Sequence, residues 1–358
     1  MTRGLPADAF SGVKPVDERL RLDEAALSGW LQGHIDGYTG PLELRQFKGG
    51  QSNPTYQLVT PTTRYVLRKK PPGVLLPSAH AVDREYRILA ALHPTGFPVP
   101  RPYALCSDPA VIGTAFYVME MVEGRVIWDD LMPGAMPAER RSVYASAISA
   151  LARLHTIDPT AVGLGDFGKP GNYFARQVDR WTRQYRRSET ESIRDMEQLI
   201  EWLPTSLPTG EAACLVHGDY RLDNIVLHPR EPRVIAVLDW ELSTLGDPFA
   251  DLTHWLLNWV LPAGLRSELG GADLPALGIP TVEELVAHYC EATGRRGVPR
   301  LEWYFAYNTF RLACILQGIV GRLRDGSAAS AHAERLIDGV RPLAAAACGF
   351  ARAAGLRS

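Results

Sequence analysis

The sequence predicts an α+β chain: a small antiparallel β N-lobe followed by a larger, mainly helical C-lobe. Three observations predict it. Short alternating strands separated by Gly- and Pro-containing turns fill residues 42–69. Beyond Gly124 the apolar residues recur mostly at helical spacing. Inside that helical stretch, residues 215–238 revert to short apolar strands edged by four polar residues, His217, Asp219, Asn224 and Asp239.

A length of 358 residues suffices for two lobes with a sizeable core, and 46% hydrophobic with 22% charged residues is ordinary globular composition. The net charge of −2 argues against a nucleic-acid partner, which calls for a basic face. No apolar run approaches the roughly 20 residues of a membrane span. The opening Met-Thr-Arg-Gly-Leu-Pro lacks the apolar core of a signal peptide, so a cytoplasmic location is expected. The five cysteines are scattered without CxxC spacing, as expected of reduced, buried thiols and not of a zinc site.

Taken in order, residues 1–20 are polar and Pro-containing, an arm expected to lie on the surface. Asp23 to Gly33 reads as a short amphipathic helix with Asp23 as N-cap. Leu42–Phe47, Thr55–Val59 and Arg64–Arg68 read as a β-meander. A helix is expected over Ser78–Leu92, with Val82, Tyr86, Leu89 and Leu92 inward. A Pro-rich segment leads to the strand Ala115–Val122, and the lobes are divided at residues 1–122 and 123–358. Helices are then expected over Ala138–His155, Tyr173–Ser188, Ile193–Leu203 (stopped by Pro204), Phe249–Val260, Val282–Thr293, Leu301–Leu323 and Ser330–Ala354.

A carboxylate and a carboxamide five residues apart, then a second carboxylate after an apolar strand, suit holding a divalent metal and a nucleotide phosphate beside a hydroxyl. The pattern His217-x-Asp219-x-x-x-x-Asn224, Leu238-Asp239 and Gly246-Asp247-Pro248-x-x-Asp251-Leu252 resembles the aminoglycoside phosphotransferase and choline kinase family, and the element order is that of a protein-kinase-like fold. The resemblance spans Leu42 to about Gly339. It implies that Asp219 accepts or orients the proton of the attacking hydroxyl, and that Asn224 and Asp239 bind Mg2+ bridging the phosphates of ATP or GTP. His217 would anchor the loop. Asp251 would brace it, or simply cap a helix.

In the N-lobe, Val66 and Arg68 share one face of a strand, fitting Val66 under the adenine and Arg68 at the phosphates. A slip of one residue would give the second task to Lys69. Glu85 is the expected partner of that cation. Gly49, Gly50, Gln51, Ser52 and Asn53 would cover the phosphates, and Glu120, Met121 and Val122 would offer backbone groups to the base.

The acceptor is less legible. Arg176, Arg180, Arg183 and Arg187 form one stripe on a helix, which would attract anions and repel a cationic antibiotic. Arg180 and Arg183, with Arg311 and Gln317 on a later apolar helix, are the candidate substrate residues. Several segments, among them Arg180-Trp-Thr-Arg-Gln-Tyr, look most like the phosphotransferase branch that animals carry fused to acyl-CoA dehydrogenase domains. That resemblance implies an ATP- and Mg-dependent kinase acting on a hydroxyacyl-CoA of the 4-hydroxyacyl type. The alternatives are a kinase of aminoglycosides or other small alcohols, and a nucleotide-binding pseudokinase scaffold.

Overall fold

The computed structural model describes residues 12–48, 53–71, 81–169, 171–209, 213–324 and 338–357. Two units divide the chain, Met1–Trp128 with Val162–Leu164 and Leu222–Ser243, and Asp129–Ala161 with Gly165–Arg221 and Thr244–Ser358.

The first unit is built on a six-stranded antiparallel sheet of β1 (Val13–Lys14), β2 (Glu43–Phe47), β3 (Thr55–Val59), β4 (Arg64–Lys69), β5 (Pro102–Cys106) and β6 (Phe116–Glu120). The strand order is β1-β2-β3-β4-β6-β5. Helix α1 (Glu24–His34) starts at Asp23, whose side chain accepts from the Ala26 N–H. Leu27 and Leu31 of α1 pack with Tyr56, Leu58, Leu67, Phe116 and Val118 in one core. Helix α2 (Val82–Leu92) buries Val82, Glu85, Ile88, Leu89 and Leu92. A three-stranded sheet, ordered β10-β9-β7, joins β7 (Arg125–Val126), β9 (Ile225–Leu227) and β10 (Val234–Val237). Only glycine fits just before β7, since a Cβ on Gly124 would stand 2.2 Å from the Leu227 carbonyl oxygen.

The second unit holds α3 (Pro137–Thr156), α4 (Tyr173–Ser188), α5 (Arg194–Thr205), α6 (Pro248–Val260), α7 (Leu274–Leu277), α8 (Val282–Thr293), α9 (Leu301–Arg324) and α10 (Val340–Ala353). Its two-stranded ladder pairs β8 (Cys214–Val216) with β11 (Thr244–Gly246). Helix α6 is buried nearly all round, and its polar residues Asp251, His254 and Asn258, three and four apart on one face, are buried with the rest. Its N-cap is Asp247, which accepts from the Phe249 N–H.

Two expectations are corrected. The N-terminal arm is not merely laid on the surface: Val13 and Lys14 pair with Phe47 and Gln46, satisfying the otherwise open edge of β2. Helix α5 is not stopped by Pro204 but continues to Thr205, because a proline in the last turn removes a single helical bond and the Ser206 N–H still reaches the Leu203 carbonyl at 3.3 Å. The expected first turn of α2 at Ser78 and the stretch from Ser330 to residue 337 lie outside the described residues. Among the described residues, no helix is long and apolar enough to cross a membrane.

Candidate functional site

In the first unit, antiparallel register brings a buried charge cluster together. Arg68 of β4 lies opposite Tyr117 of β6. Its two terminal nitrogens reach Glu85 Oε2 and Asp239 Oδ1, each at 3.0 Å. Glu85, buried on α2, also accepts from Asn53 Nδ2 and from the Tyr117 hydroxyl, both at 2.9 Å. Burial alone would lower the Arg68 guanidinium, but Glu85, Tyr117 and Asp239 hold it well above its usual value. Burial raises the Glu85 carboxyl, with Arg68 as the main opposing pull.

Asp239 follows β10 with a left-handed φ of 64°, a strained setting for a residue with a side chain. Its side chain keeps 37% exposure while Arg68 fixes one oxygen. Asn224 ends a short 3-10 turn that runs directly into β9, and its carbonyl accepts the Leu238 N–H at 2.8 Å, which ties the segment before Asp239 to Asn224.

Lys69 is buried on β4, its ammonium 5.9 Å from the Tyr56 ring centroid, and burial lowers its pKa. The cation that pairs with Glu85 and Asp239 in this cluster is therefore Arg68. Val66 is buried between partners Gln57 and Met119. The Glu120 N–H is committed to the Arg101 carbonyl at 2.8 Å. Met121 and Val122 are half-buried in irregular chain. Asn53 braces Glu85 and also reaches Glu241 at 3.4 Å. Gly49, Gly50, Gln51 and Ser52 lie outside the described residues.

In the second unit, the loop after β8 is pinned from α6. Asp251 Oδ2 accepts the His217 N–H at 2.5 Å and Oδ1 the Gly218 N–H at 2.8 Å. Asp251 is thus a brace of this loop, and capping falls to Asp247. His155 of α3 stands behind it, with Nε2 at 3.4 Å from Asp251 Oδ2 and Nδ1 at 2.7 Å from the Tyr289 hydroxyl. Burial would raise the Asp251 carboxyl, yet His155, His217 and the Gly218 N–H together lower it. Gly218 has a φ of 86°, and its carbonyl accepts from Arg311 Nη2 at 2.7 Å. His217 is fully buried, and its Nδ1 accepts the Asp219 N–H at 3.2 Å.

Asp219 meets His254 Nε2 at 3.2 Å and Arg221 Nε at 3.8 Å. Burial works against its charge, but His254, Arg221 and Arg266 prevail and hold the carboxyl well below the usual carboxylate range. His254 is itself pushed down to about 3, first by burial and then by Arg266. The imidazole is therefore neutral, with Nε2–H available to donate to the carboxylate.

The other candidates are spread out. Arg180 is exposed beside Trp181, with 5.1 Å from its guanidinium to the ring. Arg183 pairs with Asp179 at 2.5 Å, and Arg176 donates to the Lys169 carbonyl at 2.6 Å, so the predicted stripe is partly tied up locally. Gln317 donates to the Ser188 carbonyl at 2.6 Å and to Thr190 at 3.1 Å, which fastens α9 to the end of α4. His155, His254, Arg266 and Tyr117 were missed by sequence reasoning. The spacing of Asp251 and His254, three apart on one helix, was the available signal for His254. No local pattern marks His155, whose carboxylate partner lies 96 residues onward.

Asn224 and Asp239 fit a magnesium site by donor chemistry. Both offer hard oxygen, and Mg2+ takes only one or two protein carboxylates because phosphate and water complete its shell. Among the described residues there is no cluster of three or more His, Cys, Asp or Glu able to hold a metal.

Residues 43–304 match the phosphotransferase enzyme family. Mouse acyl-CoA dehydrogenase family member 10 is 46% identical over 347 residues, covering 96% of this chain and 32% of the relative. The chain thus spans about a third of that relative's length. A solved structure from Ralstonia eutropha, provisionally described as an aminoglycoside phosphotransferase, is 48% identical with a TM-score of 0.86, covering 93% of this chain and 99% of that one. The aminoglycoside phosphotransferase APH(4)-Ia, in a ternary complex with AMP-PNP and hygromycin B, is 15% identical with a TM-score of 0.58 over 92% of this chain and 99% of that one, and shares the kinase-like fold.

Proposed function

For a chain that belongs to the phosphotransferase enzyme family, we propose an ATP- and Mg-dependent small-molecule kinase that phosphorylates the hydroxyl of a hydroxyacyl-CoA, of the 4-hydroxyacyl type. Arg68, held by Glu85, would clamp the nucleotide phosphates with its forked guanidinium. Asn224 and Asp239 would hold Mg2+, which when bound neutralises charge on the phosphate oxygens. Asp219 would orient the attacking hydroxyl. A carboxylate held so far below its usual range is a weak base, and that suffices where the transition state is loose and the nucleophile's proton leaves late. His217 and Asp251 would fix the loop that presents it.

The observation that carries the acceptor is the 46% identity, over nearly the whole chain, with a protein named for acyl-CoA dehydrogenation. A kinase segment carried on such a chain has acyl-CoA chemistry at hand. Charge agrees: the side chains acting on Asp219 and His254 are Arg221, Arg266 and Arg311, a poor setting for a polycationic antibiotic.

The test is ADP release by the purified protein with Mg-ATP and a 4-hydroxyacyl-CoA, choline or an aminoglycoside, repeated with Asp219→Ala. Phosphorylation of the thioester, lost in the variant, is the expected result. An unmodified thioester, together with no binding on titration calorimetry, would end the proposal. Turnover that survives Asp219→Ala would end the mechanism.

A further inference from the structure

Arg266, in the loop after α6, makes no direct ion pair among the described residues. Its Nη2 lies 3.0 Å from His254 Nε2 and its Nη1 3.5 Å from His254 Nδ1. With Nε2–H turned to Asp219, Nδ1 is the imidazole nitrogen left to accept from Arg266, and among the described residues no carboxylate comes within ion-pair distance of the guanidinium. Two further guanidiniums, Arg221 and Arg311, act on Arg266, and Arg266 and Arg311 act on His254. The carboxylates acting on Arg266 are two, Asp219 and Asp130. Asp130 already accepts from Asn258 Nδ2 at 3.0 Å, and Asp219 from His254.

The group is also poorly solvated. Arg266 is half-buried, and burial, followed by repulsion from Arg221, lowers it to about 10. Arg311 is 7% exposed, and its Nε has no hydrogen-bond partner among the described residues although Nη2 holds the Gly218 carbonyl. Burying one guanidinium without a carboxylate and a second with an idle N–H is costly for a free protein. It is explained if a ligand supplies the missing oxygen.

We infer that Arg266, backed by Arg311, is a binding subsite for the acyl oxygen of the acceptor: the carbonyl of a thioester or the carboxylate of the corresponding free acid. The inference rests on the kinase reading above for which molecule is the acceptor. Its geometry is independent of that reading. His254 touches Asp219 through Nε2 and lies alongside Arg266, so the subsite is one imidazole away from the carboxylate that orients the hydroxyl. An acceptor spanning the two carries its hydroxyl a few bonds from its acyl oxygen. A forked cation at that distance selects such molecules, and it rejects acceptors whose neighbouring group is an ammonium.

Titration calorimetry separates this inference from the kinase reading. Wild type, Arg266→Gln and Arg266→Lys are each titrated with a 4-hydroxyacyl-CoA, the acyl-CoA lacking the hydroxyl, and the free 4-hydroxy acid. Steady-state kinetics accompany the titrations wherever turnover occurs. The expected result is at least tenfold weaker binding, and a matching rise in acceptor KM, for Arg266→Gln, with partial recovery in Arg266→Lys and ATP KM within twofold of wild type. The ratio of thioester to free-acid affinity identifies which acyl oxygen the site takes. Binding that depends on Arg266 without any phosphorylation would overturn the kinase reading and keep the subsite. Phosphorylation with unchanged acceptor KM in Arg266→Gln would overturn the subsite and keep the kinase reading. The subsite is also overturned if neither thioester nor acid binds the wild type, or if ATP KM rises as much as acceptor KM.

Discussion

The carboxylate of Asp251 accepts the backbone N–H of His217 at 2.5 Å, so a buried helix residue holds a loop 34 residues earlier in the chain. Its second oxygen takes the Gly218 N–H, and no other position on α6 offers two acceptors to two successive amides. Asp251→Asn would set an amide N–H against one of those donors. Leaving a buried N–H unsatisfied costs about 1–3 kcal/mol. Urea unfolding should therefore show a loss of that size. Steady-state kinetics should show kcat down by tenfold or more while ATP KM stays within twofold, since Arg68, Glu85 and Asp239 are untouched. A variant with wild-type kcat would show that the loop does not depend on this brace.

Arg68 and Lys69 are adjacent cations with opposite expectations. Arg68 bridges Glu85 and Asp239, whereas Lys69 sits over Tyr56. Arg68→Lys keeps the charge, but one ammonium cannot reproduce the fork that reaches both carboxylates. ATP KM should rise on the order of tenfold. Lys69→Met removes a buried cation whose own burial opposes its charge, and should leave ATP KM within twofold and thermal stability equal or higher. If the two variants exchanged these results, the assignment of Arg68 would be reversed.

Tyr117 and Glu85 make a third case. The Tyr117 hydroxyl of β6 donates to Glu85 Oε2 of α2 at 2.9 Å, a buried bond between sheet and helix. Tyr117→Phe removes that donor but leaves Arg68 and Asn53 on the same carboxylate, so the cost should be about 1 kcal/mol. Thermal unfolding of the variant checks it, and a loss above about 3 kcal/mol would mean that Arg68 and Asn53 do not hold Glu85 without Tyr117.

What could be read from the sequence follows from how locally each feature is encoded. Strands β2, β3, β4 and β6 were legible because alternation, Gly and Pro act over a few residues. The Asp23 cap was legible for the same reason. Asp219, Asn224 and Asp239 stood out because polar residues at the ends of apolar strands are conspicuous. The pairing of Val13–Lys14 with β2 was not legible, since an edge strand of two residues carries no periodicity. His155 and Arg266 were hidden for a different reason: their meaning lies in long-range contacts with Asp251 and His254. Gln317, conspicuous as a polar residue in an apolar helix, makes a tie from α9 to Ser188 that no local pattern announces.

Acid stability should report on His254. Its folded pKa is lowered to about 3 from an unfolded value near 6.5, so the folded state stays neutral through a range in which the unfolded chain gains a proton. The sign follows directly. Above pH 6.5 neither state is protonated and stability is unaffected. Below it the unfolded state binds the extra proton, and stability falls by roughly 1.4 kcal/mol for each pH unit until pH approaches 3. Asp219 adds a second loss only at lower pH, because its carboxyl is depressed in the fold and its contribution disappears as the pH drops below the ordinary carboxylate range. His254→Gln retains a donor for Asp219 and cannot titrate. Urea midpoints of the variant measured from pH 7.5 to 4.5 should flatten relative to wild type between pH 6.5 and 4.5, and converge with its slope above pH 7. Parallel curves over the whole range would mean that His254 titrates alike in the folded and unfolded states, and would overturn the neutral imidazole beside Asp219.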